Sequence, residues 1–153
     1  MANKLIAQTL HKTVMLKGSE RSDALNQMFS HLLRSRNVGA PQEVTRVILD
    51  REDAMSSGIG SGIAVPHARH KDIAAITVVF GLSKGGIGWV SPDYAPVNFV
   101  CMLAAPINTP DKYLEVLGCY LSKLRDPKFR ERLLKVPGER ALAEAWLGRA
   151  SRV

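Results

Sequence analysis

The stretch GIGSGIAVPHARH, residues 58–70, puts three glycines within five residues and follows them with an apolar run that ends in Pro66-His67. Glycines at that density weaken a regular helix or strand. They mark either a tight loop before a strand or a place where another group approaches the backbone. Ile63-Ala64-Val65 reads as a strand end, and Pro66 fixes the backbone before His67 while removing one donor. An imidazole aimed in this way stands next to glycine-loop N–H groups of the kind that form an anion-binding nest. Imidazole is nucleophilic near neutral pH, since its ordinary pKa is about 6.5. A rigidly held His beside an anion cradle suits nucleophilic attack on phosphorus.

Upstream of the glycines, residues 13–17 (TVMLK) are the one early strand candidate. Leu25, Met28, Phe29, Leu32 and Leu33 then share a helical stripe, with Ser22 as the predicted N-cap and Gly39 just past the end. A second helix is predicted from Pro41, with Val44, Val47, Ile48 and Met55 on one face and Glu43 in the first turn. Downstream, residues 74–84 (AAITVVFGLSK) and 96–106 (PVNFVCMLAAP) read as strands separated by a GGIGW turn. Thr109-Pro110 and Asp126-Pro127 each open a helix, the first carrying Leu114, Leu117, Leu121 and Leu124. GERALAEAWLGRA closes the helical group. A strand, two helices, a group of strands and three helices predict an α/β fold: a three-layer α/β/α sandwich whose mixed sheet is flanked by helices. Residues 1–153 are expected to form a single domain, as that length supports one core.

The formal charge of +7 raises nucleic-acid binding, but its distribution argues against it. The excess lies at the two ends, whereas residues 37–120 hold six basic against eight acidic side chains. No basic run alternates with aromatics as a single-strand binder requires. The longest uncharged apolar stretch, residues 97–106, is too short for a membrane span, and the N-terminus lacks a signal-peptide pattern. A cytoplasmic protein without nucleic acid or membrane insertion is expected. Cys101 and Cys119 lie in apolar segments without metal or redox spacing and read as buried small hydrophobes.

The glycine run fails the spacing of a Rossmann turn, a Walker loop and a nucleophile elbow. His67 and His70, three apart in an extended segment, face opposite ways and have no ligand cluster nearby, so no metal is expected.

Glu52, then six residues, Ile59-Gly60, two residues, and Ile63-Ala64-Val65-Pro66-His67-Ala68 resemble the phosphorylation-site signature of fructose/mannitol-type EIIA domains. These belong to the bacterial sugar phosphotransferase system, and nitrogen-regulatory EIIA proteins share the motif. The likeness extends from Arg51-Glu52 through Ser57 and the glycines to the His, and its frame covers nearly the whole chain. It implies that His67 accepts a phosphoryl group on Nε2 from an HPr-like phosphocarrier. The group is then passed to an EIIB partner or held as a signal to a regulated transporter or kinase. Arg51 matches the phosphate-contacting Arg, and Ser57 the hydroxyl before the loop. Ser61 takes a position often filled by a larger polar residue, and with the Ser57 hydroxyl it is a further expected contact of the phosphoryl group. The resemblance implies no cofactor, because donor and acceptor are both proteins. The glycines would then make room for the phosphoryl group and the incoming carrier. One departure stands out: sugar-transporting relatives carry a second His near the start of the helix after the third strand, and here that position is Tyr113. A docking module that keeps the fold but is poorly phosphorylated is the alternative this departure raises.

Overall fold

The computed structural model describes residues 10–148. Strand β1 (Leu10–Met15) is followed by helices α1 (Arg21–Leu33) and α2 (Pro41–Ala54). Strands β2 (Gly58–Gly60), β3 (Ile63–Ala64), β4 (His67–His70), β5 (Thr77–Ile87) and β6 (Val97–Pro106) come next, then helices α3 (Pro110–Leu124), α4 (Pro127–Leu134) and α5 (Glu139–Leu147). The sheet order is β1-β5-β6-β3-β2, with β4 also paired to β6. β1 runs parallel to β5, β5 antiparallel to β6, and β3 and β4 parallel to β6, so the sheet is mixed.

Side-chain alternation on the central strands builds the layers. Phe99, Cys101, Leu103 and Ala105 of β6 join Val78, Phe80 and Leu82 of β5 beneath α3, α4 and α5. Val100, Met102 and Ala104 point the other way, with Val79, into the core capped by α1 and α2. Both faces of β5 and β6 are therefore apolar, as a sheet covered on both sides requires. The three-layer α/β/α sandwich is observed.

The Pro-initiated helices start where the sequence places them. Asp126 caps α4 by accepting from the Lys128 N–H at 3.0 Å. Elsewhere tertiary pairing shifts the local expectation. β1 begins at Leu10 because its ladder with β5 runs from Leu10↔Thr77 to Met15↔Leu82. Helix α1 starts at Arg21 behind Glu20, which bridges Gly88, so Ser22 lies inside the helix. Met55 falls past the extended end of α2 and is 80% exposed. The GGIGW turn is partly strand: Gly85, Gly86 and Ile87 extend β5 through a register shift after Leu82. On α3 the buried stripe is Tyr113, Val116, Tyr120 and Leu124, while Leu114 faces outward at 61% exposure. Cys101 is buried, which pushes its thiol up to about 12, and Cys119 is only half-buried.

β3 and β4 behave as one strand interrupted at Val65-Pro66. Ile63↔Phe99 and His67↔Leu103 keep the same register against β6 across the gap, and Leu103 N–H donates to the Pro66 carbonyl at 2.9 Å. His67 thus opens β4 rather than closing the preceding strand. The proline's missing N–H breaks the ladder there.

Candidate active site

His67 is half-buried at the start of β4. The ladder from β2 to β3 ends at Gly58↔Ala64, leaving the Val65 carbonyl beyond its last pair. That carbonyl lies 2.8 Å from His67 Nδ1. A carbonyl can only accept, so Nδ1 carries the proton and Nε2 keeps its lone pair. Nε2 has no hydrogen-bond partner among the described residues.

A cleft of about 330 Å³ brings His67 together with Arg51, Glu52 and Ser57, the last three from the end of α2 and the turn behind it. Arg51 is exposed and forms no ion pair among the described residues. Neighbouring Asp50 pairs with Arg46 at 3.1 Å, and Glu52 is engaged elsewhere. Its guanidinium is therefore available to an anion in the cleft. Ser57 Oγ donates to Glu52 Oε1 at 2.5 Å, so its one proton is already committed. The hydroxyl presents only lone pairs to a ligand in this arrangement.

Tyr113 approaches from the first turn of α3, its ring centroid 6.0 Å from that of His67. Burial raises the phenol above its ordinary pKa, with the charges of Arg51 and Arg69 opposing the shift. Ser61 is not brought to the cleft. It sits exposed at the tip of the β2–β3 hairpin, and its N–H donates to Asp93 Oδ2 at 2.9 Å. The Asp93 carboxylate takes the N–H expected to serve an external anion.

The glycines are accounted for by the fold. A Cβ on Gly58 would lie 2.3 Å from the Val90 carbonyl, so this position needs glycine for close packing. Gly60, Ser61 and Gly62 all have positive φ, the backbone that makes so short a hairpin. Gly58 thus clears room for the protein's own backbone, while Gly60 and Gly62 supply the left-handed geometry of the turn.

The family model described as phosphoenolpyruvate-dependent sugar phosphotransferase system, EIIA 2, matches residues 8–145. The chain belongs to this family. It is 30% identical over 129 residues to the fructose-specific EIIABC component of Bacillus subtilis, an alignment covering 84% of the chain and 20% of that relative. The chain thus corresponds to about a fifth of that protein's length. Nitrogen regulatory protein IIA-Ntr from Neisseria meningitidis superposes with a TM-score of 0.78 at 25% identity, covering 89% of this chain and 92% of that one. The complex of enzyme IIAMtl and phosphorylated enzyme IIBMtl from Escherichia coli gives a TM-score of 0.75 at 24% identity, covering 92% and 100% of the two chains, a likeness of fold. No helix among the described residues is long and apolar enough to cross a membrane.

Two contributors to this EIIA site have roles that the motif alone does not assign. Glu52 is 3% exposed, and its carboxyl group accepts from Ser57 N–H at 2.8 Å, Ser57 Oγ at 2.5 Å and Trp89 Nε1 at 2.9 Å. Helical spacing of four from Val44 through Ile48 carries it onto the buried face, and that signal is present in the sequence. The other is Arg69, two residues after His67 on β4, whose guanidinium carbon lies 5.8 Å from the Tyr113 ring centroid. His70 faces away, its Nε2 at 3.1 Å from Glu43 Oε1 of α2, as the alternation of an extended segment dictates.

Proposed function

We propose that this EIIA chain is a phosphoryl carrier with His67 as its covalent acceptor. The single observation that carries the reading is the Nδ1–H bond to Val65, which leaves Nε2 as the nucleophile beside the unpaired Arg51. The Nε2 lone pair forms the new N–P bond while the P–N bond of a phosphohistidine on an HPr-like protein breaks. The bonding pair returns to the departing imidazole of that carrier. The Nδ1 proton stays on His67, so the phosphorylated ring is cationic and remains a good leaving group for onward transfer. A second nucleophile, on an EIIB partner, then takes the group. Alternatively the loaded state acts as a signal to a regulated transporter or kinase. The fold likeness to a IIA solved with its phosphorylated IIB supports the EIIB reading, and the likeness to IIA-Ntr supports the regulatory one. Residues 1–153 would act as one domain in the cytoplasm, with the fold supplying the whole site.

Incubation with phosphoenolpyruvate, Enzyme I and an HPr-like carrier, followed by intact mass, tests this. Gain of one acid-labile phosphoryl group is the expected result, and no gain with any cognate carrier refutes it. Arg51→Ala should slow loading by about ten- to a hundredfold, the worth of charge-assisted hydrogen bonds to the phosphoryl oxygens. Its thermal transition should stay within about 0.5 kcal/mol of wild type, since Arg51 is exposed and unpaired. A lost transition would make Arg51 structural.

The position of Tyr113 favours one alternative, a docking module loaded inefficiently. Tyrosine donates a hydrogen bond but does not supply the charge of an imidazolium. Tyr113→His should therefore speed loading by about three- to tenfold. An unchanged rate in a stopped-flow or quench measurement would show that the tyrosine is no handicap.

A further inference from the structure

We propose that Arg69 is the second cation of the phosphoryl site, standing in for the charge that Tyr113 cannot provide; this rests on the carrier reading above. On β4, residues two apart share a face, separated by about 6.6 Å along the strand. His67 and Arg69 therefore project from the same side of the sheet, and both meet Tyr113: the imidazole at 6.0 Å between centroids, the guanidinium at 5.8 Å. Arg69 is exposed and, like Arg51, has no carboxylate partner among the described residues. Neither guanidinium is neutralised by a carboxylate among the described residues, and like charges repel, so the site favours an anion. The Tyr113 face holds Arg69 in place by a cation–π contact while the site is empty. Arg51 reaches His67 from the end of α2 in the cleft, and Arg69 stands over the Tyr113 ring from β4.

A phosphoryl group on His67 Nε2 brings a dianion into that gap. Arg51 then meets it from α2 and Arg69 from β4, and the Tyr113 hydroxyl adds a donor between them. Arginine suits this task because its planar fork reaches two phosphoryl oxygens at once and keeps its charge throughout transfer. Arg69 does not act as an acid or base. It neutralises charge on the transferring group, so its removal affects loading and phosphoryl retention together.

The test compares wild type with Arg69→Gln and Arg69→Lys in two measurements. The first is the loading rate from the HPr-like carrier. The second is a titration of the unphosphorylated protein with inorganic phosphate, followed through the His67 ring resonances by NMR. We expect Arg69→Gln to load about ten- to a hundredfold more slowly and to bind phosphate at least about tenfold more weakly. Arg69→Lys should recover part of both, which a purely structural role would not predict. Wild-type loading with an unaltered Arg69→Gln rate overturns the assignment and leaves the carrier reading standing. A wild-type protein that does not load, yet binds phosphate in an Arg69-dependent way, refutes the carrier reading and supports the assignment. Failure of the wild type in both measurements overturns both.

Discussion

A His67→Ala protein should gain no phosphoryl group from phosphoenolpyruvate, Enzyme I and an HPr-like carrier, whereas His70→Ala should gain one at near the wild-type rate. The contrast follows from the alternation along β4. His67 enters the cleft with Arg51 and has its Nδ1 proton fixed on the Val65 carbonyl. His70 lies on the opposite face, where its Nε2 meets Glu43 and its Nδ1 accepts from the Asp72 N–H. Removing the His67 imidazole deletes the only atom proposed to form the N–P bond, so the loss is complete rather than graded. It costs the fold little: one hydrogen bond to the carbonyl just past the end of β3, about 1 kcal/mol. A normal thermal transition in the unlabelled variant separates lost chemistry from lost structure. Labelling of His67→Ala together with silence of His70→Ala would move the site to the other face of the sheet.

Glu52→Ala should be the most destabilising single change in the site region. The Glu52 carboxyl group gathers three donors from two separate segments: the Ser57 N–H, the Ser57 hydroxyl and the Trp89 indole. At 3% exposure, water has little access to replace it. Stranding these donors in a space emptied of the side chain costs about 3 kcal/mol. For a chain of this size the thermal transition falls by about 6–12 °C. Loading should slow as well, because Glu52 ties the turn bearing Ser57 to the end of α2 that carries Arg51. Trp89→Phe removes one of the three donors without leaving a partnerless N–H, so it should cost markedly less. Equal losses in the two variants, measured by thermal or urea unfolding, would show that the carboxyl group is not the hub.

Much of the fold was legible because its signals are local. Proline at the first helical position announced α2, α3 and α4, since a fixed φ and a missing N–H suit a helix start wherever it occurs. The β-branched runs announced β5 and β6. Boundaries were less legible where a partner set them. The pairing of β1 with β5 drew the first strand toward the N-terminus, and the bridge from Glu20 to Gly88 moved the start of α1. On α3 the leucine stripe marks the packed side at Leu117, Leu121 and Leu124, but Leu114 faces outward and the most buried line runs through Tyr113, Val116, Tyr120 and Leu124.

In the site, His67, Arg51 and Ser57 were visible as a motif, and the structure gathers them in one cleft. Ser61 was visible too, but Asp93, thirty-two residues later, takes its N–H and the hairpin holds it apart. Arg69 carried only the two-residue spacing of a strand, which gains meaning once α3 lays Tyr113 across that face.

By itself the sequence determined the order of helices and strands, the two apolar faces of the central sheet, and which His follows the proline. Spacing and backbone chemistry act within a few residues and survive in any context. Only the tertiary structure decided which nitrogen of His67 is free, what Gly58 makes room for, and which donors the buried Glu52 carboxyl group gathers. Each of those depends on atoms that are distant along the chain, or on where a strand ladder stops: the Val65 carbonyl at the end of the β2–β3 ladder, the Val90 carbonyl against Gly58, and Trp89 against Glu52. A hydrogen bond needs its donor and acceptor within about 3 Å, and only the assembled sheet and helices bring these groups that close.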